Sequence, residues 1–132
     1  MNCAIATDDG IFLMGRHFGD ACQYDLYCVE KDGFTYSETI KNPFREKEED
    51  DEDVHGDKIK ASNMKELLLE KSVSVIVSKR FGPNINRMVR NFVPVIVRHN
   101  EVEKAKHLLL EHYDEVQAMI HEGENRQHIV LG

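Results

Sequence analysis

The chain has 132 residues, of which 41% are hydrophobic and 31% charged, and its formal net charge is −7. These values are typical of one compact domain, and no stretch approaches the roughly 20 apolar residues that cross a bilayer. The acidic balance disfavours non-specific binding to nucleic acid, because phosphates call for clustered Lys and Arg. Three cysteines without a CxxC pair, and an N-terminus unlike a signal peptide, predict a cytoplasmic protein with reduced thiols.

The first half of the chain has the pattern of strands. We expect a first strand over residues 2–6, followed by a turn at 7–10, and a hairpin of residues 24–30 with residues 34–41. Asp-Gly between two β-rich runs is a strong hairpin signal. Residues 46–53 then hold seven acids among eight residues. Such a run predicts a solvated excursion, with a cation-binding or partner-docking segment as the alternative.

The second half alternates helical and strand patterns. The expected elements are a helix over 58–71, a strand over 73–77, a helix over about 83–91, a strand over 93–97 and a long helix over about 101–122. Right-handed crossovers place helices on both faces of the sheet. The prediction is a single three-layer α/β domain over residues 1–122, with a mixed sheet of about five strands, and a flexible tail over residues 123–132.

Three short signatures follow apolar runs: His17-Phe18-Gly19, His55-Gly56 and Phe81-Gly82-Pro83-Asn84. In open α/β domains ligands collect where strands end, so residues distant in sequence can line one crevice. Neutral imidazole binds iron, zinc, copper or nickel, and a helix N-terminus such as the one after Gly82 stabilises anions. The alternatives are surface or capping roles for the two histidines, and a simple change of chain direction at residues 82–84.

Several other side chains have two interpretations each. Lys79 and Arg80 suit an anionic ligand, or are solvated surface charges. His99, at the end of the last expected strand, could approach the crevice. Cys22 lies close to the His17 loop and is the thiol that could act as a ligand. The remaining cysteines, Cys3 and Cys28, are expected to be small hydrophobic residues within strands.

Six motifs in order resemble the dinitrogenase iron–molybdenum cofactor biosynthesis family, which includes NifX-like and NafY-like domains and the C-terminal domain of NifB-type proteins. The motifs are IATDDG (5–10), HFGDA (17–21), NP (42–43), HG (55–56), VIV (75–77) and GPN (82–84). The resemblance spans about residues 2–120 and implies a ribonuclease-H-like fold with a mixed five-stranded sheet. It also implies that the protein binds or carries an iron–sulfur or molybdenum-containing cluster without catalysis. Many such proteins occur in archaea and anaerobic bacteria.

The resemblance assigns a cluster site to the three signatures. It implies that His17 and His55 are the metal ligands, and that the other residues of the signatures line the site: Phe18, Gly19, Gly56, Phe81, Gly82, Pro83 and Asn84. The implied partners are the cluster and a cluster donor or acceptor protein, with no nucleic acid and no membrane, and the expected state is a monomer or weak homodimer. The chain departs from the family where Asp57-Lys58 replaces a glycine-rich run and where Lys79-Arg80 replaces small residues.

Two other functions fit the sequence. A regulatory interaction module without a metal cluster could act through the acidic segment at 46–53 or through a sheet edge. A nuclease of the same fold would need several carboxylates around two magnesium ions. Asp8 and Asp9 follow the first strand, but no further acid is convincingly placed in the later strands.

Overall fold

A computed structural model describes residues 1–42, 64–83 and 85–132 of the protein. Six strands are present in this part of the chain: β1 (Asn2–Thr7), β2 (Gln23–Glu30), β3 (Gly33–Lys41), β4 (Val73–Ser78), β5 (Val93–Val97) and β6 (Ile129–Leu131). They form one mixed sheet in the order β3-β2-β1-β4-β5-β6. β1 is central, antiparallel to β2 and parallel to β4, so the carboxyl ends of β1, β4 and β5 meet at one edge.

Helices cover both faces of this sheet. The described residues include α1 (64–70), α2 (Ile85–Met88), α3 (Val102–Glu111) and α4 (Tyr113–Ile120). Side chains of β1 alternate between two buried clusters, because successive residues of a strand point to opposite faces. Cys3 and Ile5 belong to the cluster that α3 and α4 complete, whereas Ala4 and Ala6 belong to the cluster that α1 completes. The predicted layered α/β architecture with a mixed sheet is therefore confirmed.

The predicted strand count and the predicted tail are wrong. The sheet has six strands rather than five, because residues Ile129–Leu131 pair in parallel with β5. Ile129 and Leu131 are buried in the same cluster as α3 and α4, while Val130 between them is exposed. A run of three residues is too short to stand out in a sequence, and only the exposed edge of β5 makes it a strand. The ribonuclease-H-like assignment stays a prediction.

The expected helix over residues 101–122 is broken in two. His112 has φ −108° and ψ 22°, which ends α3, and α4 begins at the next residue. The imidazole Nδ1 of His112 lies 3.1 Å from a carboxylate oxygen of Glu115 in the first turn of α4. Apolar residues keep their helical spacing across this break, so the sequence pattern does not reveal it.

The other expected helices differ in length or lie partly outside the described residues. The helix expected over 83–91 is limited to Ile85–Met88. Of the helix expected over 58–71, residues 64–70 are seen as α1. The acidic segment at 46–53 lies outside the described residues. No helix in the described part of the chain is long and apolar enough to cross a membrane.

Candidate functional site

His17 lies beside the segment that follows β4. It forms an isolated parallel bridge with Arg80, and the backbone amide of Phe18 donates a hydrogen bond of 3.0 Å to the carbonyl oxygen of Arg80. The backbone then forms a single 3-10 turn over Phe18–Asp20, closed by a 2.8 Å bond from the Asp20 amide to the His17 carbonyl. The structure thus brings the first and third sequence signatures together at the carboxyl end of β4.

Gly82 is in direct contact with the imidazole ring of His17. A Cβ atom added at Gly82 would lie 3.0 Å from Nδ1 of the ring and 3.5 Å from Cε1 and Cγ. A methyl group at position 82 would therefore require the ring to shift by a few tenths of an ångström. Among the described residues, neither ring nitrogen of His17 takes part in a hydrogen bond or ion pair. The ring lies beside Gly82, and the described residues provide no hydrogen-bond partner for its nitrogens.

Phe18 belongs to the hydrophobic core rather than to an open surface. Its side chain is 1% exposed. Its ring stacks on that of Phe81, with centroids 5.3 Å apart, and lies 4.9 Å from the ring of Tyr24. Phe18 and Phe81, both predicted to line the site, therefore pack against each other on the core side of the His17 loop.

Two buried polar side chains bond to the backbone of this loop from the core side. The sequence analysis did not assign either of them to the site. The hydroxyl of Tyr24 donates to the Phe18 carbonyl oxygen at 2.7 Å. The side-chain amide of Asn42 donates to the carbonyl oxygens of Gly19 at 3.0 Å and Ala21 at 2.9 Å. Asn42 is 7% exposed. The Asn-Pro motif at 42–43 was the available signal, but spacing alone gives no role to its asparagine.

Of the remaining predicted site residues, the structure describes only Gly19 and Pro83. Gly19 meets nothing within 4 Å if a Cβ is added, so no described neighbour requires glycine there. Pro83 is exposed in the turn before α2. His55, Gly56 and Asn84 lie outside the described residues.

Asp8 and Asp9 stabilise the turn after β1. Both carboxylate oxygens of Asp8 lie 2.7 Å from the Arg16 guanidinium, and one of them also accepts the Cys22 amide at 2.9 Å. Oδ1 of Asp9 accepts the backbone amides of Ile11 at 2.8 Å and Phe12 at 2.9 Å. Both carboxylates are therefore engaged in local structure, which supports the turn interpretation and not a pair of magnesium ligands.

The Asp8 interactions predict an acid-sensitive contribution to stability. Partial burial opposes ionisation, but hydrogen bonds from Arg16 and Cys22 outweigh it and lower the pKa of Asp8 to about 2 from its ordinary 3.8. A lowered pKa stabilises the fold above about pH 4, and the contribution is lost as the pH falls towards 2. Because the side chain is 36% exposed, we expect Asp8→Asn to lower the free energy of unfolding at pH 7 by about 1 kcal/mol.

Urea unfolding of the wild type and Asp8→Asn at pH 7, pH 4 and pH 2.5 measures this contribution. The difference between the two proteins should shrink as the pH falls. A difference that is the same at all three pH values would contradict the assignment.

The other candidate ligands lie apart from the His17 ring or are engaged elsewhere. The Lys79 ammonium donates to the side-chain oxygen of Asn100 at 2.6 Å. The imidazole of His99 lies beside Gly132, where an added Cβ would be 2.7 Å from Nε2, and so faces the end of β6. Burial raises the pKa of the Cys3 thiol to about 12, as expected of an inert core cysteine. Cys22 is half-buried and hydrogen-bonded to Asp8.

Comparison with known proteins shows the family to which the chain belongs. The sequence profile of the dinitrogenase iron-molybdenum cofactor family matches residues 1–112. The chain therefore belongs to this family, as its motifs had indicated. No curated protein matches the chain.

One solved structure shows the same fold. It is a crystal structure from Methanocaldococcus jannaschii, whose name assigns it provisionally as a dinitrogenase. The similarity covers 84% of this chain and 88% of that chain, with a TM-score of 0.54 and 16% sequence identity. At this identity the similarity shows the shared fold alone.

Proposed function

We propose that the protein is a non-catalytic carrier that binds an iron–sulfur or molybdenum–iron cluster as cargo through His17 and His55. Membership of the iron-molybdenum cofactor family supports this class of ligand. The observation that carries the proposal is the packing of the His17 ring against Gly82 at the carboxyl end of β4. Imidazole is a good ligand for iron, and here it is held in a defined position with its nitrogens unused by the described residues.

A small number of protein ligands suits a cluster that must be released to another protein. Within residues 1–42, 64–83 and 85–132, no three His, Cys, Asp or Glu side chains are grouped to hold a metal ion. A cluster supplies its own bridging sulfide, so one or two protein ligands suffice to hold it while allowing its release. In the proposal, the cluster comes from a donor protein and leaves to an acceptor protein in the cytoplasm. Arg80, beside His17, adds a positive charge that favours an anionic cluster.

Anaerobic reconstitution with iron and sulfide tests the proposal. The wild type should gain the visible absorption of a bound cluster, and the double variant His17→Ala/His55→Ala should lose at least about 90% of it, because an imidazole ligand cannot be replaced by a methyl group. His107→Ala is the matched control, since this exposed histidine on α3 pairs with Glu111 at 3.0 Å. Unchanged absorption in the double variant would refute the proposal.

A pair of glycine variants tests the His17 geometry without removing a ligand. In Gly82→Ala the new methyl group should shift the imidazole by a few tenths of an ångström, so we expect cluster binding to weaken several-fold. Gly15→Ala lies two residues before His17 but meets no described atom within 4 Å, and it should bind like the wild type. Equal binding by the two variants would show that the ring position does not matter.

One observation favours a second function, that of an interaction module. Ile11 and Phe12 are 62% and 52% exposed, although their backbone amides are fixed by Asp9. A rigid turn that presents large apolar side chains is typical of a protein-binding surface. This function predicts that the wild type gains no cluster absorption, and that Ile11→Ser/Phe12→Ser abolishes partner binding while His17→Ala does not.

A further inference from the structure

Asn42 directly follows the edge strand β3 (Gly33–Lys41) and lies beside the His17 loop. Its backbone amide donates to the carbonyl oxygen of Cys22 at 3.0 Å. Its side chain reaches further along the same loop, to the carbonyl oxygens of Gly19 and Ala21. A single residue thus bonds to the loop at three backbone positions.

The chemistry of these contacts requires a donor that carries two hydrogens. Both acceptors are backbone carbonyl oxygens, so the amide nitrogen of Asn42, and not its oxygen, must face them. An aspartate of the same shape would place an acceptor against two acceptors in a buried position. A serine hydroxyl has one hydrogen and can satisfy at most one of the two carbonyls.

The side chain of Tyr24 bonds to the same loop, one residue earlier in the chain than the first carbonyl bonded by Asn42. Its hydroxyl donates to the Phe18 carbonyl oxygen at 2.7 Å, and it lies 3.4 Å from the Asn42 amide nitrogen. The carbonyls of residues 18, 19 and 21 are therefore all bonded from the core side. His17 immediately precedes this bonded stretch, and its ring lies beside Gly82.

We propose that Asn42 is a positioning residue, which fixes the backbone of residues 18–21 and thereby holds the His17 imidazole against Gly82. The effect of Asn42 on cargo binding rests on the proposed function, whereas its effect on the position of the His17 ring is independent of that function.

The test uses the protein without cargo and follows the His17 ring by NMR. In the wild type, the ring protons of His17 should show nuclear Overhauser contacts to the α-protons of Gly82, since an added Cβ there would lie only 3.0 Å from Nδ1 of the ring. In Asn42→Asp and Asn42→Ser these contacts should fall by more than half. Val116→Ala, a buried site on the opposite face of the sheet, is the control for a general loss of stability.

Cargo affinity is measured on the same variants by anaerobic reconstitution. It should fall about tenfold in both Asn42 variants, the usual effect of removing a residue that orients a ligand, and stay unchanged in Val116→Ala. If Asn42→Asp does not fold, Asn42→Ser decides the question. If the Asn42 variants fold and keep the His17–Gly82 contacts, the positioning role is overturned. If the contacts are lost but even the wild type takes up no cluster, the positioning role holds and the proposed function fails.

Discussion

Replacing Phe18 by alanine should lower the free energy of unfolding by about 3–5 kcal/mol, the usual loss for a fully buried phenylalanine. The ring is 1% exposed and contacts the rings of Phe81 and Tyr24. Its removal leaves a cavity under the loop that carries His17. The loop backbone is anchored by hydrogen bonds on both sides, so the surrounding structure cannot easily collapse to fill the cavity.

Urea unfolding followed by circular dichroism measures this effect. Phe12→Ala is the matched control, because the Phe12 side chain is 52% exposed and its loss should lower the free energy of unfolding by less than about 1 kcal/mol. Equal losses in the two variants would mean that Phe18 is not a core residue.

Replacing Leu131 by alanine should lower the free energy of unfolding by about 2–3 kcal/mol. Leu131 is 3% exposed and packs in the cluster that α3 and α4 complete. We expect a value near the lower end of the range for buried leucines, because β6 is a three-residue edge strand that can adjust. We also expect the same change to loosen β6 and so to weaken the bond of 3.0 Å that the Arg98 amide donates to the Leu131 carbonyl oxygen.

The neighbouring residue gives an internal control for this prediction. Val130 points to the opposite face of β6 and is 41% exposed, so Val130→Ala should change the free energy of unfolding by less than about 0.5 kcal/mol. Urea unfolding gives both values, and amide hydrogen exchange at Arg98 should be faster only in Leu131→Ala. A neutral Leu131→Ala would show that β6 adds nothing to the sheet.

The parts of the fold predicted from sequence are those with strong local signals. The hairpin of β2 and β3 follows from its Asp-Gly turn, and β4 and β5 follow from short β-branched runs. β6 was missed because its pairing depends on β5, more than 30 residues away in the chain. The sequence did not predict the break at His112, because the apolar residues keep their helical spacing across it although the backbone at His112 is not helical.

In the candidate site, too, the sequence predicted features with local signals and not those that depend on contacts between distant residues. The sequence placed His17 and Gly82 in one site, and the structure puts the glycine against the ring. Sequence patterns could not show that Phe18 points into the core, nor that Tyr24 and Asn42 bond to the loop. Those contacts link residues up to 23 positions apart, and they depend on how β2 and β3 pair.

The anchoring of both Asn42 and Met64 in the folded core has a consequence for changes in chain length. Asn42 is bonded to the loop of residues 18–21, and Met64 is buried in the adjoining cluster, so each end of the intervening chain is secured independently. A change in the number of residues between these two anchors would therefore leave the bonds of Asn42 and the packing of Met64 in place.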